Sequence, residues 1–531
     1  MTSNASIAAL LAAARDAHRK GDNAAAQNAI STVLTQYDGA EAWDLNGDIL
    51  LALHQIPAAV TAYEKAVERE PGNATYLHDL GRSLLQNGRP TDAEPMLARA
   101  AALKPGAWDA LCDLGTSQLD QGHAALAAET FSRALAAKPD ATLAHYNRGN
   151  ALQDLGQFGE ATAAYRQALR FTPNFLPAMM SLATLLSELG QVDEGEKLFA
   201  QAKVLGGDTP LFAQSHALVE LRYGHLRQGF ASYEARFRPS RYALPTRPFT
   251  APRWQGESLA GRDILIWTEQ GLGDEILSAS MFSEVITAAR SCTIECSERV
   301  APLFARSFPR ATVVARRDPA DSATAVHFDF QTPAMSLARF LRQDPADFAH
   351  NAGYLRADEN LVQKLRHKYL AQGGRVIGVS WESTARHGAR KRLPLGAWEP
   401  ILKTPGLTFV SLQYGVAPGD ASLAAAGGRV IVDDEVDALK SLDASAAQVA
   451  AMDLVITVSN TTAHLAGAQN VPVWTLLPEG PGCFWYWFRN RTDSPWYPSM
   501  RIFRQPRPGD WQGAVNAVAQ ALVEIKPQGR L

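Results

Sequence analysis

"WTEQGLGDEILSAS", residues 267–280, directly follows the apolar run Ile264, Leu265, Ile266 and leads into a helix-like stretch. The order is strand, glycine turn, helix, which opens an α/β layer and sets a loop beyond the carboxyl end of a strand, where such sheets bind ligands. Gly271, Gly273 and Asp274 form the turn. A loop that cradles phosphates would avoid an acid, so Asp274 raises the question of what this loop faces. A dinucleotide-binding fingerprint fits poorly: Glu295 follows Gly273 by 22 residues, but Ile276 stands where the third glycine belongs. Capping of the following helix by Asp274 is the plainer alternative.

Around this stretch, apolar segments alternate with helical ones: DILIWTE, CTIECS, ATVVA, AVHFDFQ, RVIGVSW, LTFVSLQY, RVIVDD, LVITVSN and VPVWTLL. Such alternation predicts parallel sheets with crossover helices, divided between two α/β domains at residues 263–369 and 370–531. Their junction is expected in "RHKYLAQGGRV", with a final helix from about Trp511 to Ile525 returning across it. Upstream, residues 239–262 carry Pro239, Pro245, Pro248 and Pro252 and read as a linker.

Residues 1–238 repeat themselves. Gly47, Gly81, Gly115 and Gly149 recur every 34 residues, as do Pro71, Pro105, Pro139 and Pro173, and Ala66, Ala100, Ala134 and Ala168. Three residues before each alanine stand Tyr63, Leu97, Phe131 and Tyr165. This is the tetratricopeptide (TPR) pattern, an all-α superhelix of paired helices. Gly and Ala let helices approach, the large residue fills the gap between repeats, and Pro ends the second helix. Weaker copies (Gly21, Ala26 and Ile30; Gly190, Phe199 and Ala202; Gly224, Gly229 and Tyr233) extend the array to about six or seven repeats. Asp79, Asp113 and Asn147, two residues before register glycines, predict a polar ladder along the first helices: either a solvated face or a grip on an extended peptide.

Two further motifs follow strands. In "VITVSNTTAHLAGA", residues 455–468, Ser459, Asn460, Thr461 and Thr462 open a helix, which suits a phosphate or simple N-capping. In "WESTARHGARKRLPLGAW", residues 381–398, Arg386, His387, Arg390, Lys391 and Arg392 gather positive charge, as a solvated surface or as a charge clamp on a leaving phosphate. Gln413 and Glu479 also follow strands and are weaker candidates for donor contacts. "GCFWYWF", residues 482–488, reads as buried packing or a cleft wall.

Composition narrows the class. Across 531 residues, 46% hydrophobic and 20% charged content describes a globular chain, and a net charge of −3 offers no electrostatic case for nucleic acid or an anionic membrane. No apolar run spans a membrane, and no basic residue precedes the short Ala/Leu stretch near the N-terminus, so a cytoplasmic location is expected. Of four scattered cysteines, Cys292 and Cys296 lack a second pair that would complete a zinc site.

"EQGLGDEI", "ARKRLPLGAW", "FVSLQYG", "DLVITVSNTTAHLAGA" and "SPWYPSMRIFRQ" together resemble the heptosyltransferase-like GT-B glycosyltransferases fused to TPR arrays in bacteria, over roughly residues 254–525. The nearest likeness within that group is the flagellin glycosyltransferase type, and the repeats resemble the superhelix of the O-GlcNAc transferases, whose asparagines hold a peptide backbone. The resemblance implies a GT-B fold of two Rossmann-like domains and metal-independent, inverting transfer from a nucleotide sugar, such as a CMP-linked nonulosonic (pseudaminic) acid, to Ser or Thr of a protein acceptor such as flagellin. It implies Asp274 as general base facing the acceptor, Lys391 on the donor phosphates, and Thr461, Thr462 and His464 at the phosphate-binding helix. Asn460 departs from that pattern, in which an Asp is common. An inactive scaffold, or a transferase for lipid-linked or polysaccharide acceptors, are the other classes the chain could join.

Overall fold

The computed structural model describes residues 4–206, 209–240, 243–247, 249–316, 327–348, 353–383, 392–416, 419–424 and 426–524. The chain divides into two compact units, residues 1–186 with 197–205, and residues 187–196 with 206–531.

The first unit is built of helix pairs, among them Ala40–Ala52 with Ile56–Arg69, Ala74–Gln86 with Pro90–Leu103, Trp108–Asp120 with Ala124–Ala137, and Thr142–Asp154 with Phe158–Phe171. Each of these second helices stops two residues before its register proline, Pro71, Pro105, Pro139 or Pro173. The register glycines sit against the large residue of their own repeat. A Cβ on Gly47, Gly81, Gly115 or Gly149 would lie 2.5–2.7 Å from Tyr63, Leu97, Phe131 or Tyr165, so the large side chain fills a gap within each repeat and not, as the pattern suggested, between repeats. A second glycine column, Gly88, Gly122, Gly156, Gly190 and Gly224, holds φ between 71° and 89° in the turns joining helices, a conformation that side chains oppose. Gly190 and Gly224 therefore belong to this turn column and not to the helix-crossing one.

In the second unit, two sheets are entirely parallel. The first contains β1 (Asp263–Trp267), β2 (Ser291–Cys296), β3 (Thr312–Ala315) and β4 (Phe330–Pro333), in the order β3-β2-β1-β4. The second contains β5 (Arg375–Ser380), β6 (Leu407–Ser411), β7 (Val430–Ile431), β8 (Leu454–Val458), β9 (Val473–Leu477) and β10 (Met500–Arg504), in the order β10-β9-β8-β5-β6-β7. Order reverses beside β1 in the first sheet and between β5 and β8 in the second, the switch points where such sheets open a crevice. Both faces of the second sheet are buried: Val376 and Val455 face a core shared with the first sheet, while Ile377, Val379, Ile456 and Val458 face a second core. Strands covered on both sides need the continuous apolar runs seen in the sequence.

The structure departs from the expected boundaries in three places. Helices Pro210–Arg222 and Leu226–Tyr233 read as a last repeat, yet they lie in the unit of the sheets: Phe230 packs edge-on to Trp485 at 5.6 Å, and Arg222 donates to the Cys483 carbonyl. Helix Glu359–Leu370 packs on helix Leu442–Ala450 and β5, which moves the junction between sheets upstream of residue 359. The C-terminal helix, Trp511–Val523, does not return across that junction; Ala514, Val515 and Val518 seal the second sheet's outer core against β9, β10 and helix Glu399–Leu402. Strand β10 lay unrecognised within "SPWYPSMRIFRQ", because Arg501 and Arg504 interrupt its apolar pattern. No described helix is long and apolar enough to cross a membrane.

Candidate functional site

Both switch points deliver their loops to the same place. Beyond β1, Gln270 adopts φ 66°, a left-handed conformation that costs a non-glycine residue about 1 kcal/mol. It is steadied by a hydrogen bond from Gln270 Nε2 to the Tyr233 hydroxyl at 2.8 Å. Helix Leu272–Ala279 then begins, with Gly271 as N-cap and Asp274 at its third position. Asp274 Oδ2 accepts the Gly271 N–H at 3.2 Å, so the capping role is real. Capping engages Asp274 Oδ2. Around it stand the buried phenols Tyr233, Tyr486 and Tyr497, whose ionisation is suppressed by burial first, with the Asp274 charge adding to it; Tyr233 is pushed up to about 12.

Beyond β8, Asn460 caps helix Thr461–Ala468 and acts as the hub of the loops. Its Oδ1 accepts from Thr457 Oγ1 and from the Thr462 and Ala463 N–H groups, while its Nδ2 donates to Ser380 Oγ at 2.8 Å and to the Glu382 carbonyl at 3.1 Å. Two of the N–H groups offered to a phosphate are therefore already satisfied by Asn460. The same geometry explains why asparagine occupies this position: aspartate could accept these three bonds but could not donate the other two. Gln413 is drawn into the same network, its Oε1 accepting from Ser380 Oγ, Trp381 N–H and Glu382 N–H. Both amides are buried, and they hold Ser380, Trp381 and Glu382 at the end of β5.

His464, 2% exposed, links the two loops. Its Nδ1 is hydrogen-bonded to the Tyr497 hydroxyl at 2.7 Å, its ring stacks on Trp487, and its other edge faces the glycine turn. A Cβ on Gly273 would come within 3.0 Å of His464 Cδ2 and 3.2 Å of Nε2, which is why this position takes glycine. Gly271, by contrast, has room for a side chain.

A cavity of about 210 Å³ lies alongside, with Leu272 and Arg299 on the first-sheet side and Leu412, Tyr414, Thr461 and Thr462 on the second-sheet side. It brings the helix that carries Asp274 and the two threonines to one crevice. The other candidates are placed differently. Glu479 is ion-paired to Arg489 at 2.5 Å, a contact that occupies its carboxylate. Glu295, the residue a dinucleotide site would use on a ribose, is buried and paired with Arg247 at 2.6 Å. Arg386, His387, Arg390 and Lys391 lie outside the described residues, while Arg392 pairs with Glu382. Trp485, Tyr486, Trp487 and Phe488 are buried, so the aromatic run packs the site from behind, and only Phe484 of its large members is exposed.

Each residue of the polar ladder in the repeats is bonded to a neighbour outside the ladder. His78 Nε2 and Asp113 Oδ2 lie 2.8 Å apart, linking successive first helices; Asn147 Nδ2 donates to Thr116 of the preceding repeat; and Asp79 pairs with Arg82.

One buried pair escaped the sequence. Arg236, 1% exposed, donates to Glu269 Oε1, to Ser336 Oγ and to the Tyr233 carbonyl, directly behind the glycine turn. Burial raises Glu269 toward its neutral form while Arg236 opposes that shift. The only signal was an acid two residues before Gly271, with nothing to connect it to an arginine 33 residues upstream.

Comparison with known proteins finds the description Tetratricopeptide repeat over residues 11–74, 45–107, 78–142, 112–174 and 146–210, so the chain carries such repeats. It is 32% identical over 334 residues to Protein FlbA of Caulobacter vibrioides (strain ATCC 19089 / CIP 103742 / CB 15), covering 59% of this chain and 55% of that protein. The chain thus aligns with little more than half of that relative's length. Similar solved structures include MamA (26% identity, TM-score 0.29, covering 30% of this chain and 94% of that one). YrrB, a TPR protein with an unusual peptide-binding site (21%, 0.30, 32% and 87%), and PilF of Pseudomonas aeruginosa (18%, 0.36, 40% and 96%) are others.

Proposed function

We propose that this repeat-bearing chain is a protein O-glycosyltransferase of GT-B type. It would transfer a sugar from a nucleotide donor, such as a CMP-linked nonulosonic acid, to Ser or Thr of a protein acceptor, flagellin being the first to test, recruited through the repeats. The observation that carries this reading is the meeting of the Asp274 turn and the Thr461–Thr462 helix start at one crevice between two parallel sheets. In the reaction, the Asp274 carboxylate takes the proton of the acceptor hydroxyl as that oxygen attacks the anomeric carbon. The anomeric C–O bond to the donor phosphate breaks, its electron pair leaves with the nucleotide, and the anomeric centre inverts. Thr461 and Thr462 hydroxyls meet the phosphate, and Lys391 with Arg386 would neutralise the departing charge. Gln413, Asn460 and His464 position the loops; the acceptor polypeptide is held along the repeats, where Asp79, Asp113 and Asn147 line the first helices.

The test is intact-mass measurement of flagellin and secreted proteins from cells carrying wild type, Asp274→Ala, Lys391→Ala, or a chain lacking the repeats. A sugar-sized increment lost in all three variants supports the transferase, and its size identifies the sugar class. Persistence of the increment in both point variants, with loss only when the repeats are removed, would instead establish a scaffold.

A further inference from the structure

Away from the crevice, residues of the second unit on three helices bring imidazoles and carboxylates together. His216 and Glu220 lie one turn apart on helix Pro210–Arg222 and so share a face; Glu196 comes from helix Val192–Val204, and His225 caps helix Leu226–Tyr233. Glu196 Oε2 lies 2.9 Å and Glu220 Oε1 3.4 Å from the same atom, His216 Nε2, and the three ligand atoms fall within 4.8 Å of one another. Glu220 Oε2 is 2.5 Å from His225 Nδ1. The His216 ring stacks on buried Phe212, which fixes its orientation.

Hydrogen bonds pair His216 with Glu196 and His225 with Glu220, which leaves Glu220 Oε1 beside His216 Nε2 with no proton between them. One imidazole nitrogen carries at most one proton, yet two carboxylates converge on it. A divalent cation would accept the nitrogen lone pair and both oxygens at once and would offset both negative charges. Around a tetrahedral zinc ion with bonds of about 2.0–2.1 Å, ligand atoms stand about 3.3 Å apart, close to the spacings at His216 Nε2. His225 then has the role of an outer residue that orients a ligating carboxylate.

We propose that His216, Glu196 and Glu220 form a binding site for a first-row divalent cation of the zinc type, with His225 supporting Glu220 and water in the fourth position. The imidazole donor suits zinc better than calcium or magnesium, which take oxygen ligands. The ion fastens Glu196 to the helix of His216 and Glu220, across the chain segment that joins their two helices. Glu196 and His225 have side chains 41% and 66% exposed, so the ion can enter from solvent.

The test uses the full-length, tag-free protein, stripped with a chelator and then loaded with zinc or cobalt. Metal analysis after desalting should find one zinc per chain, and cobalt should give the visible absorption of a four-coordinate ion. Glu196→Gln should weaken binding tenfold or more, and His216→Gln should abolish it, while circular dichroism of the metal-free variants matches wild type. Because the Glu196 side chain is substantially exposed, its amide variant remains informative even if His216→Gln fails to fold. Substoichiometric zinc in wild type, or zinc affinity unchanged by Glu196→Gln, would overturn the proposal.

Discussion

At the scale of single residues, Asn460 decides the shape of the crevice through hydrogen bonds made with both ends of one amide. Asn460→Asp keeps the size and the acceptors but removes both donors and places a charge in a buried network. We expect a loss of about 1–3 kcal/mol in urea unfolding, the range for a buried group left without its partner; equal stability would show that the donors are immaterial. Asp44 offers a test by pH. Burial, with the charges of Asp48 and Asp79 adding, raises it from 3.8 to about 7. Between those values the folded chain holds a proton that the unfolded chain has lost, so this residue's contribution is full below the lower value and is lost as pH rises through the window. Asp44→Asn should therefore be more stable than wild type near pH 8, with the difference closing by about pH 4 in thermal unfolding series.

At the scale of elements, the two glycine columns do different work and should fail differently. Gly115→Ala drives a methyl into Phe131 at 2.7 Å and should cost about 1–3 kcal/mol by overpacking. Gly122→Ala meets nothing but must hold φ 83°, a strain of about 1–2 kcal/mol that Gly122→Asn should partly avoid. Comparing the three by chemical denaturation separates crowding from backbone strain; equal losses for Ala and Asn at 122 would refute the strain account. The columns also show what the sequence could and could not convey. A fixed 34-residue step makes the repeats legible because each performs the same local task, and β1 to the Asp274 helix was legible because strand, turn and cap adjoin. The partner of each glycine, the pairing of Asp113 with His78, and the occupation of Glu479 by Arg489 depend on which elements meet in space. Asp274 and Thr461 could be placed after strands, but the contact between Gly273 and His464 that joins their loops spans nearly two hundred residues and leaves no pattern.

At the scale of the whole molecule, the proline-rich segment is not where the chain divides. Arg236 lies before it and Glu269 after it, and they form a buried pair. A fragment beginning at residue 239 leaves Glu269 without that partner, a loss of about 3–5 kcal/mol, and also strips Phe230 from Trp485. A fragment beginning at residue 187 keeps both. We expect the longer fragment to be recovered folded and the shorter to aggregate; similar yields and unfolding midpoints would show that the pair is dispensable. The parallel sheets carry one more consequence, for the order in which the chain acquires its structure. Ile264 must find Phe330, and Ile377 must find Leu454, before either central strand is paired on that side, whereas each repeat closes on residues a few turns away. Refolding should thus proceed at two speeds, with early helical signal from the repeats and a slow phase from the sheets. During that slow phase unpaired strand edges are open to other copies of the chain, so recovery should fall with protein concentration through the sheets, while the repeats renature independently of it.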